Sequence, residues 1–125
     1  MSGFGVPEEA VGLADDYSMI ISTFPDVETA RKTAKMLVEK RLAACAQMLP
    51  IHSVYAWQGK VCEDDEVALL IKSKTALFDK VASAIRDNHG YEVPEIIQLT
   101  ITAGLPDYLH WIDENVDDMS GGRFS

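Results

Sequence analysis

Basic residues and long hydrophobic runs are scarce in this sequence. Its 11 lysines and arginines stand against 20 acidic residues, which gives a net charge of −9 at pH 7. Nucleic-acid binding normally depends on a cationic face, so we expect no nucleic-acid partner. No apolar run approaches the length of about 18 residues that a membrane helix needs, so we also expect no membrane partner.

Cysteine is equally sparse. The chain has 2 cysteines, Cys45 and Cys62, and their spacing matches neither a C-x-x-C motif nor a zinc finger. We therefore predict neither a disulfide framework nor a structural zinc site, as is typical of proteins in a reducing compartment. The first residues include Glu8 and Glu9 but no basic segment, so no secretory signal is predicted. These features together predict a cytoplasmic protein.

Motifs of known enzyme classes are also absent. The sequence has no G-x-S-x-G elbow, no P-loop, no H-E-x-x-H motif and no Gly-rich dinucleotide turn. We therefore expect a protein without catalytic residues, without enzymatic activity and without a required cofactor.

The length of 125 residues, with 47% apolar content, is sufficient for one domain. We assign it to residues 17–116. Residues 1–16 mix glycine, proline and acids without a sustained period, and we predict that they are disordered. Residues 117–125 contain two adjacent glycines and are predicted to form a flexible tail.

A long β-hairpin between Leu42 and Lys74 is the feature around which the remaining elements are arranged. Alternating residues before Gly59 are typical of a strand, and glycine favours the reversal of the chain at residues 58–60. Pro50 lies inside the first arm, where it has no N–H to donate. It predicts a bend that separates strand pieces at 43–49 and 51–58.

Shorter elements flank the hairpin. Asp26 is a predicted N-cap for an amphipathic helix, and Thr75 is the predicted cap of a second helix. The other predicted elements are a first strand at 17–24, a last strand at 96–101 and a terminal helix that begins at Pro106. The order β-α-β-β-α-β plus a helix predicts the α+β class and a ferredoxin-like sandwich, with two helices on one face of the sheet.

The opposite face of this sheet carries apolar residues that the two helices cannot cover. Strands 67–71 and 96–101 are apolar on both sides of the pleat. The terminal helix would cover only part of the second face, so we expect a homo-oligomer. Tyr55 and Trp57, near the end of the hairpin, are the predicted anchors between subunits.

Six segments in order resemble the CutA divalent-cation-tolerance proteins: TFPDVETA, LVEKRLAACAQ, SVYAWQGKV, EVALLIKS, YEVPEII and DYLHWI. The resemblance covers about residues 17–116. It implies a ferredoxin-like subunit in a tight homotrimer, similar to the PII signalling proteins, with hairpins that pair between neighbours. It also implies a role in tolerance of copper and other divalent metal ions, with possible weak metal binding.

The copper ligands proposed for the family carry over only in part. The position of its cysteine is occupied here by Ser22, and its pair of adjacent histidines corresponds to Asn88 and His89. His89 is therefore the metal ligand that the resemblance implies, and a role at the end of a helix is the alternative. Cys45 is a second candidate because thiolates bind copper, although a small thiol here also suits the core.

The family pattern also suggests a cleft between subunits with Lys72, Tyr91, Glu95 and Trp57 around it. A cleft of this kind supports an alternative function, in which a PII-like signalling or scaffold protein binds a small anionic ligand or a protein partner. The run from Cys62 to Glu66 contains four acids, but alternation sends neighbours to opposite faces, so we interpret it as a solvated, edge-protecting segment. His52 and His110 are interpreted as isolated surface or packing residues.

Overall fold

The computed structural model describes residues 16–117, in which four strands form one antiparallel sheet. They are β1 (Tyr17–Phe24), β2 (Cys45–Trp57), β3 (Lys60–Lys74) and β4 (Ile96–Thr100). Their order in the sheet is β2-β3-β1-β4. Apart from Asp16 and Asp117, the segments predicted to be disordered or flexible lie outside the described residues.

The described part of the chain also contains three α-helices: α1 (Val27–Glu39), α2 (Phe78–Asp87) and α3 (Pro106–Asn115). A short 3-10 turn at Thr75–Leu77 leads directly into α2. The element order confirms the predicted α+β class and the ferredoxin-like βαββαβ arrangement with a long hairpin and a C-terminal helix.

The first helix begins as the sequence predicts. Asp26 is extended, and its Oδ1 accepts a hydrogen bond from the backbone N–H of Thr29 at 2.8 Å, which satisfies one of the free donors at the helix start. The buried side chains Ala30, Ala34 and Leu37 recur at intervals of three and four residues. This spacing places them on one face of α1, toward the sheet.

The core lies between this helical layer and one face of the sheet. Cross-strand pairs such as Ile20 with Ile71 and Phe24 with Val67 share that face. They belong to one buried cluster with Leu37 of α1. The next residues along each strand point the other way, because successive side chains alternate across a sheet.

The second face of the sheet is only partly covered. At one end, the Asp113 carboxylate of α3 accepts a hydrogen bond from the Tyr17 hydroxyl and lies 2.7 Å from the Lys74 ammonium. Elsewhere on this face Ile97 and Leu99 of β4 are 48% and 43% exposed. We call this region the open face. It agrees with the prediction that one chain cannot shield both sides of its sheet.

The predicted bend at Pro50 is wrong. The pairing of β2 with β3 runs without interruption from Cys45 opposite Lys72 to Trp57 opposite Lys60. Two features make the proline tolerable. β2 is an edge strand, and counting back in twos from the pair that closes the turn puts Pro50 at a position without a hydrogen bond to β3.

The predicted reversal of the chain at residues 58–60 is confirmed, whereas the predicted cap of the second helix is wrong. Gln58 shares the positive φ of Gly59, with values of 51° and 79°, so the reversal is a two-residue turn of the kind that matches the twist of paired strands. Thr75 does not cap α2. Its hydroxyl is instead hydrogen-bonded to that of Ser18 at 2.7 Å, which ties the end of β3 to β1.

Candidate functional site

A groove of about 630 Å³ lies between the outer half of the hairpin and the loop that follows α2. Trp57, Tyr91 and Glu95, three of the four residues predicted to surround a cleft, contribute to its wall. The complete lining is Thr23, Ser53, Val54, Tyr55, Ala56, Trp57, Glu66, Tyr91, Glu92, Val93 and Glu95. The fourth predicted residue, Lys72, does not line this groove, and the cleft between subunits that the family pattern suggests remains a prediction.

The alternation of side chains along the strands places three lining residues of the hairpin on the same face. Tyr55 and Trp57 are two residues apart on β2, and the pairing register places Glu66 of β3 on the same face. Across the groove, the Tyr91 hydroxyl donates a hydrogen bond to Oε2 of Glu66 at 2.6 Å. This bond connects the loop to the hairpin.

The tyrosines of the groove remain neutral at physiological pH. Burial, followed by the hydrogen bond to Glu66, raises the pKa of Tyr91. The Tyr55 hydroxyl donates to the Asp64 carboxylate, and this bond is the main cause that raises the pKa of Tyr55 to about 12. Both phenols thus act as hydrogen-bond donors, and neither contributes a negative charge.

The charge of the groove is nevertheless strongly negative. Glu66, Glu92 and Glu95 line it, and the lining includes no lysine, arginine or histidine. Within residues 16–117, none of these three carboxylates takes part in an ion pair. This potential is opposite to the one that a small anionic ligand requires.

His89 holds the loop that follows α2 in place through two hydrogen bonds. Its Nδ1 accepts a hydrogen bond from the backbone N–H of Tyr91 at 3.1 Å, so Nε2 carries the proton and donates to the Thr23 carbonyl at 2.7 Å. The ring also stacks on Phe24 with centroids 4.6 Å apart. Because both nitrogens are engaged, a metal ion bound here would have to displace one of these bonds. The role of His89 as a ligand remains a prediction.

The other metal candidate lies in a different part of the sheet. Cys45 is paired with Lys72, which is next to Met19 of β1, whereas His89 contacts Thr23 and Phe24. Among residues 16–117, no group of three His, Cys, Asp or Glu side chains is arranged to hold a metal ion. Cys45 and His89 therefore do not form one site within a single chain.

Lys72 contacts residues that do not line the groove. Its ammonium donates to Oε1 of Gln47 at 3.0 Å and lies 6.0 Å from the centre of the Tyr108 ring. Burial and the adjacent Cys45 thiol raise the pKa of that tyrosine. Within one chain this cluster is separate from the groove.

The interpretation of His52 as an isolated residue is wrong, because two carboxylates contact its ring. Its Nδ1 lies 2.8 Å from Oδ1 of Asp65, and its Nε2 lies 2.9 Å from Oε1 of Glu63. Each of these contacts is a hydrogen bond when the ring is protonated, so Glu63 first and Asp65 second raise the pKa of His52. The signal was present in the sequence, since pairing outward from a two-residue turn at 58–59 places His52 opposite Asp65.

The acidic run divides between the two faces of the hairpin as alternation predicts. Glu63 and Asp65 contact His52 on one face, while Asp64 and Glu66 accept hydrogen bonds from tyrosines on the other. The four carboxylates therefore do not converge on one point.

No helix within residues 16–117 combines the length and apolarity needed to cross a membrane. The longest, α1, has 13 residues.

The topology and the groove define a ferredoxin-like α+β protein with an extended hairpin and a C-terminal helix. The family model described as CutA1 divalent ion tolerance protein matches residues 18–115. The chain therefore belongs to the CutA1 family, as its sequence motifs indicated.

Similar proteins occur in bacteria, archaea and eukaryotes. The divalent-cation tolerance protein CutA of Thermus thermophilus is 46% identical over 98 residues, which cover 78% of this chain and 95% of that protein. Protein CutA of Mus musculus is 41% identical over 99 residues, which cover 78% of this chain and 56% of the mouse protein.

Solved structures have the same fold. The Thermus thermophilus protein superimposes with a TM-score of 0.79 at 44% identity, over 81% of this chain and 99% of that chain. CutA1 from Oryza sativa superimposes with a TM-score of 0.81 at 34% identity, over 85% of this chain and 98% of that chain.

The contacts of His52 predict a protonation equilibrium that depends on two carboxylates. We expect its pKa, measured by NMR titration, to lie above 6.5 and to fall toward this value in Glu63→Gln. Because the folded-state pKa is raised, the stabilisation is fully present below about pH 6.5 and is lost as the pH rises through the raised pKa.

Asp64→Asn is the matched control, since Asp64 lies on the other face of the hairpin and is the smallest of the named causes. An equal fall in the pKa of His52 in both variants would contradict the proposed geometry and would point to a general charge effect.

Proposed function

We propose that this chain acts in tolerance of divalent metal ions, copper among them, as a non-enzymatic homotrimer in the cytoplasm. The observation that carries the proposal is the match to the CutA1 family, which extends over residues 18–115. Related proteins from Thermus thermophilus and Archaeoglobus fulgidus are named divalent-cation tolerance proteins.

The open face supports self-assembly. Leu49, Ile97 and Leu99 are each between 43% and 49% exposed on one side of the sheet. Isolated apolar side chains are common on protein surfaces, but a contiguous apolar sheet face is typical of an interface. A second and a third copy of the chain would remove this surface from water, and the gain in free energy would be proportional to the apolar area buried.

Assembly can be tested by light scattering. We expect a particle mass three times the chain mass of 13.8 kDa. Ile97→Asp should reduce this mass, because burying an unpaired carboxylate at an interface costs at least about 3 kcal/mol. Val38→Asp is the control, since Val38 is similarly exposed, at 42%, but lies on α1. A wild-type particle with the mass of one chain would refute the trimer.

Metal binding by a single chain is expected to be weak, because the bonds of His89 to Thr23 and Tyr91 must compete with the metal. Imidazole is nevertheless a suitable ligand for Cu²⁺. In calorimetric titrations with Cu²⁺ and Zn²⁺, we expect His89→Ala to take up less metal than the wild type. His110→Ala is the control, because His110 is an exposed histidine on α3. Equal uptake by the wild type and His89→Ala would exclude His89 as a ligand.

The tolerance function itself predicts a growth phenotype. In a bacterial host that lacks its own family member, expression of this chain should raise the copper concentration at which growth is half-maximal. The Ile97→Asp variant, expressed to the same level, tests whether assembly is needed. Identical growth curves with the chain and with an empty vector would contradict the proposed function.

A further inference from the structure

We propose that His52 makes the self-assembly of this chain depend on pH, because its two carboxylate contacts hold the outer part of the hairpin together. This inference rests on the homotrimer proposed above, whose predicted anchors Tyr55 and Trp57 lie on the same part of the hairpin. Protonation of His52 would then strengthen the contact between subunits, and deprotonation would weaken it.

The outer part of the hairpin has only two strands within residues 16–117. The pairing of β1 with β3 ends at Phe24 opposite Val67, whereas β2 and β3 remain paired as far as Trp57 and Lys60. Residues 51–66, which we call the ribbon, therefore have no third strand beside β3 in a single chain. A two-stranded hairpin is marginally stable on its own in water, so side-chain contacts across the ribbon contribute much of its stability.

His52 links the strands of the ribbon at two positions. In an antiparallel ladder, pairs with backbone hydrogen bonds alternate with pairs that have none. Counting from the pair that closes the turn, His52 with Asp65 and Val54 with Glu63 are pairs without backbone hydrogen bonds. The His52 ring lies 2.8 Å from the carboxylate of Asp65, directly across the ribbon, and 2.9 Å from that of Glu63, diagonally across it. One ring therefore connects the strands at two successive positions where the backbone does not.

The number of these hydrogen bonds depends on the protonation state of the ring. An imidazolium donates through both nitrogens, whereas a neutral imidazole has one N–H and presents a lone pair to the other carboxylate. Hydrogen bonds to Glu63 and then to Asp65 raise the pKa of His52 above its ordinary value of 6.5. Both bonds are therefore present at about pH 6, and one is lost as the pH rises through the raised pKa.

The titratable groups of the ribbon divide between its two faces. One face carries His52, Glu63 and Asp65, and the other carries Lys60, Cys62, Asp64 and Glu66. Of the second group, Asp64 also raises the pKa of His52 through its charge. Within residues 16–117, neither Glu63 nor Asp65 forms an ion pair with a lysine or an arginine. His52 is therefore the cation that compensates these two carboxylates.

The helix α1 also packs against β2. Its charged residues are Glu28, Arg31, Lys32, Lys35 and Glu39. In the described part of the chain, the ion pairs of His52 are those with Glu63 and Asp65, whereas Arg31 pairs with Glu28. The charges of α1 therefore do not replace the contacts of His52.

The predicted anchors between subunits lie on the same strand as His52. Tyr55 and Trp57 follow it on β2, and their side chains point to the opposite face of the ribbon. If the two strands separate more readily, these side chains are held less firmly, and binding to a neighbouring subunit must then order them at a greater cost in entropy. His52 can thus influence the interface without contacting the neighbouring subunit.

The rate of subunit exchange in the full-length protein tests this coupling. Copies labelled with donor or acceptor dyes at the N-terminal amine are mixed at constant ionic strength, and the rise of energy transfer gives the exchange rate. We expect the wild type to exchange about threefold faster at about pH 8 than at about pH 6, an effect of the size that exposed ion pairs produce.

Two variants separate the charge of His52 from its other contacts. Lysine stays protonated at both pH values, so His52→Lys should exchange at the slower rate at both. Glutamine is uncharged at both, so His52→Gln should exchange at the faster rate at both. His110→Gln is the control, since His110 is an exposed histidine on α3, and this variant should keep the pH dependence of the wild type.

Amide hydrogen exchange of residues 51–66, corrected for the intrinsic rate at each pH, reports on the ribbon itself. We expect protection in the wild type to decrease between about pH 6 and about pH 8, and protection in His52→Lys to stay constant. Equal protection of the wild type at both pH values would contradict the role of His52 in the ribbon.

Three further outcomes would overturn the inference. A wild-type trimer that exchanges subunits at one rate at both pH values would show that assembly does not depend on His52, and it would leave the homotrimer intact. Persistence of the pH dependence in His52→Gln, or its loss in His110→Gln, would mean that another group titrates. A particle with the mass of one chain at both pH values would refute the homotrimer and the coupling with it, so the mass distinguishes the two failures.

Discussion

The register between β2 and β3 is the constraint on which the rest of the structure depends. It is set by the two-residue turn at Gln58 and Gly59, and it continues without a break to Cys45 and Lys72. Because side chains alternate, a slip of one residue would exchange the two faces of the hairpin. His52 would lose Glu63 and Asp65, and the aromatic wall of the groove would turn away from the loop at Tyr91.

An imbalance between helices and sheet is the second organising feature. The sheet has two apolar faces, but α1 and α2 pack on only one of them, and α3 covers one end of the other. At that end, Asp113 accepts a hydrogen bond from Tyr17 and forms an ion pair with Lys74. These contacts hold α3 in place, but α3 does not cover the rest of this sheet face. Because side chains alternate along each strand, Tyr55 and Trp57 of the groove lie on the same side of the sheet as Ile97 and Leu99 of β4.

Local features of the sequence predicted the fold well. The limits of β1, the Asp26 cap and the position of the turn all follow from residues close together in the chain. The bend at Pro50 was mispredicted because a proline is disruptive only when its strand has a neighbour on the side of the missing N–H. Which strand lies at the edge depends on the whole topology, which no short window contains.

The site was predictable to a lesser degree for the same reason. Trp57, Tyr91 and Glu95 line one groove of a single chain, but the family pattern suggested a cleft between subunits, and that cleft remains a prediction. Within one chain Lys72 belongs to a separate cluster with Gln47 and Tyr108. The contact of His52 with two carboxylates can be predicted by counting residue pairs outward from the turn. The hydrogen bonds of His89, by contrast, depend on how the loop after α2 returns to β1.

Pro50 also affects how other chains can approach this protein. At its position in β2 the side of the backbone that does not face β3 is directed outward, and proline offers no N–H there. A foreign strand that aligned along this border would meet a missing donor partway and could not form a continuous ladder. Pro50 thus disfavours fibre formation through the edge strand β2. The shorter stretches of β2 on either side of it can still pair with another strand.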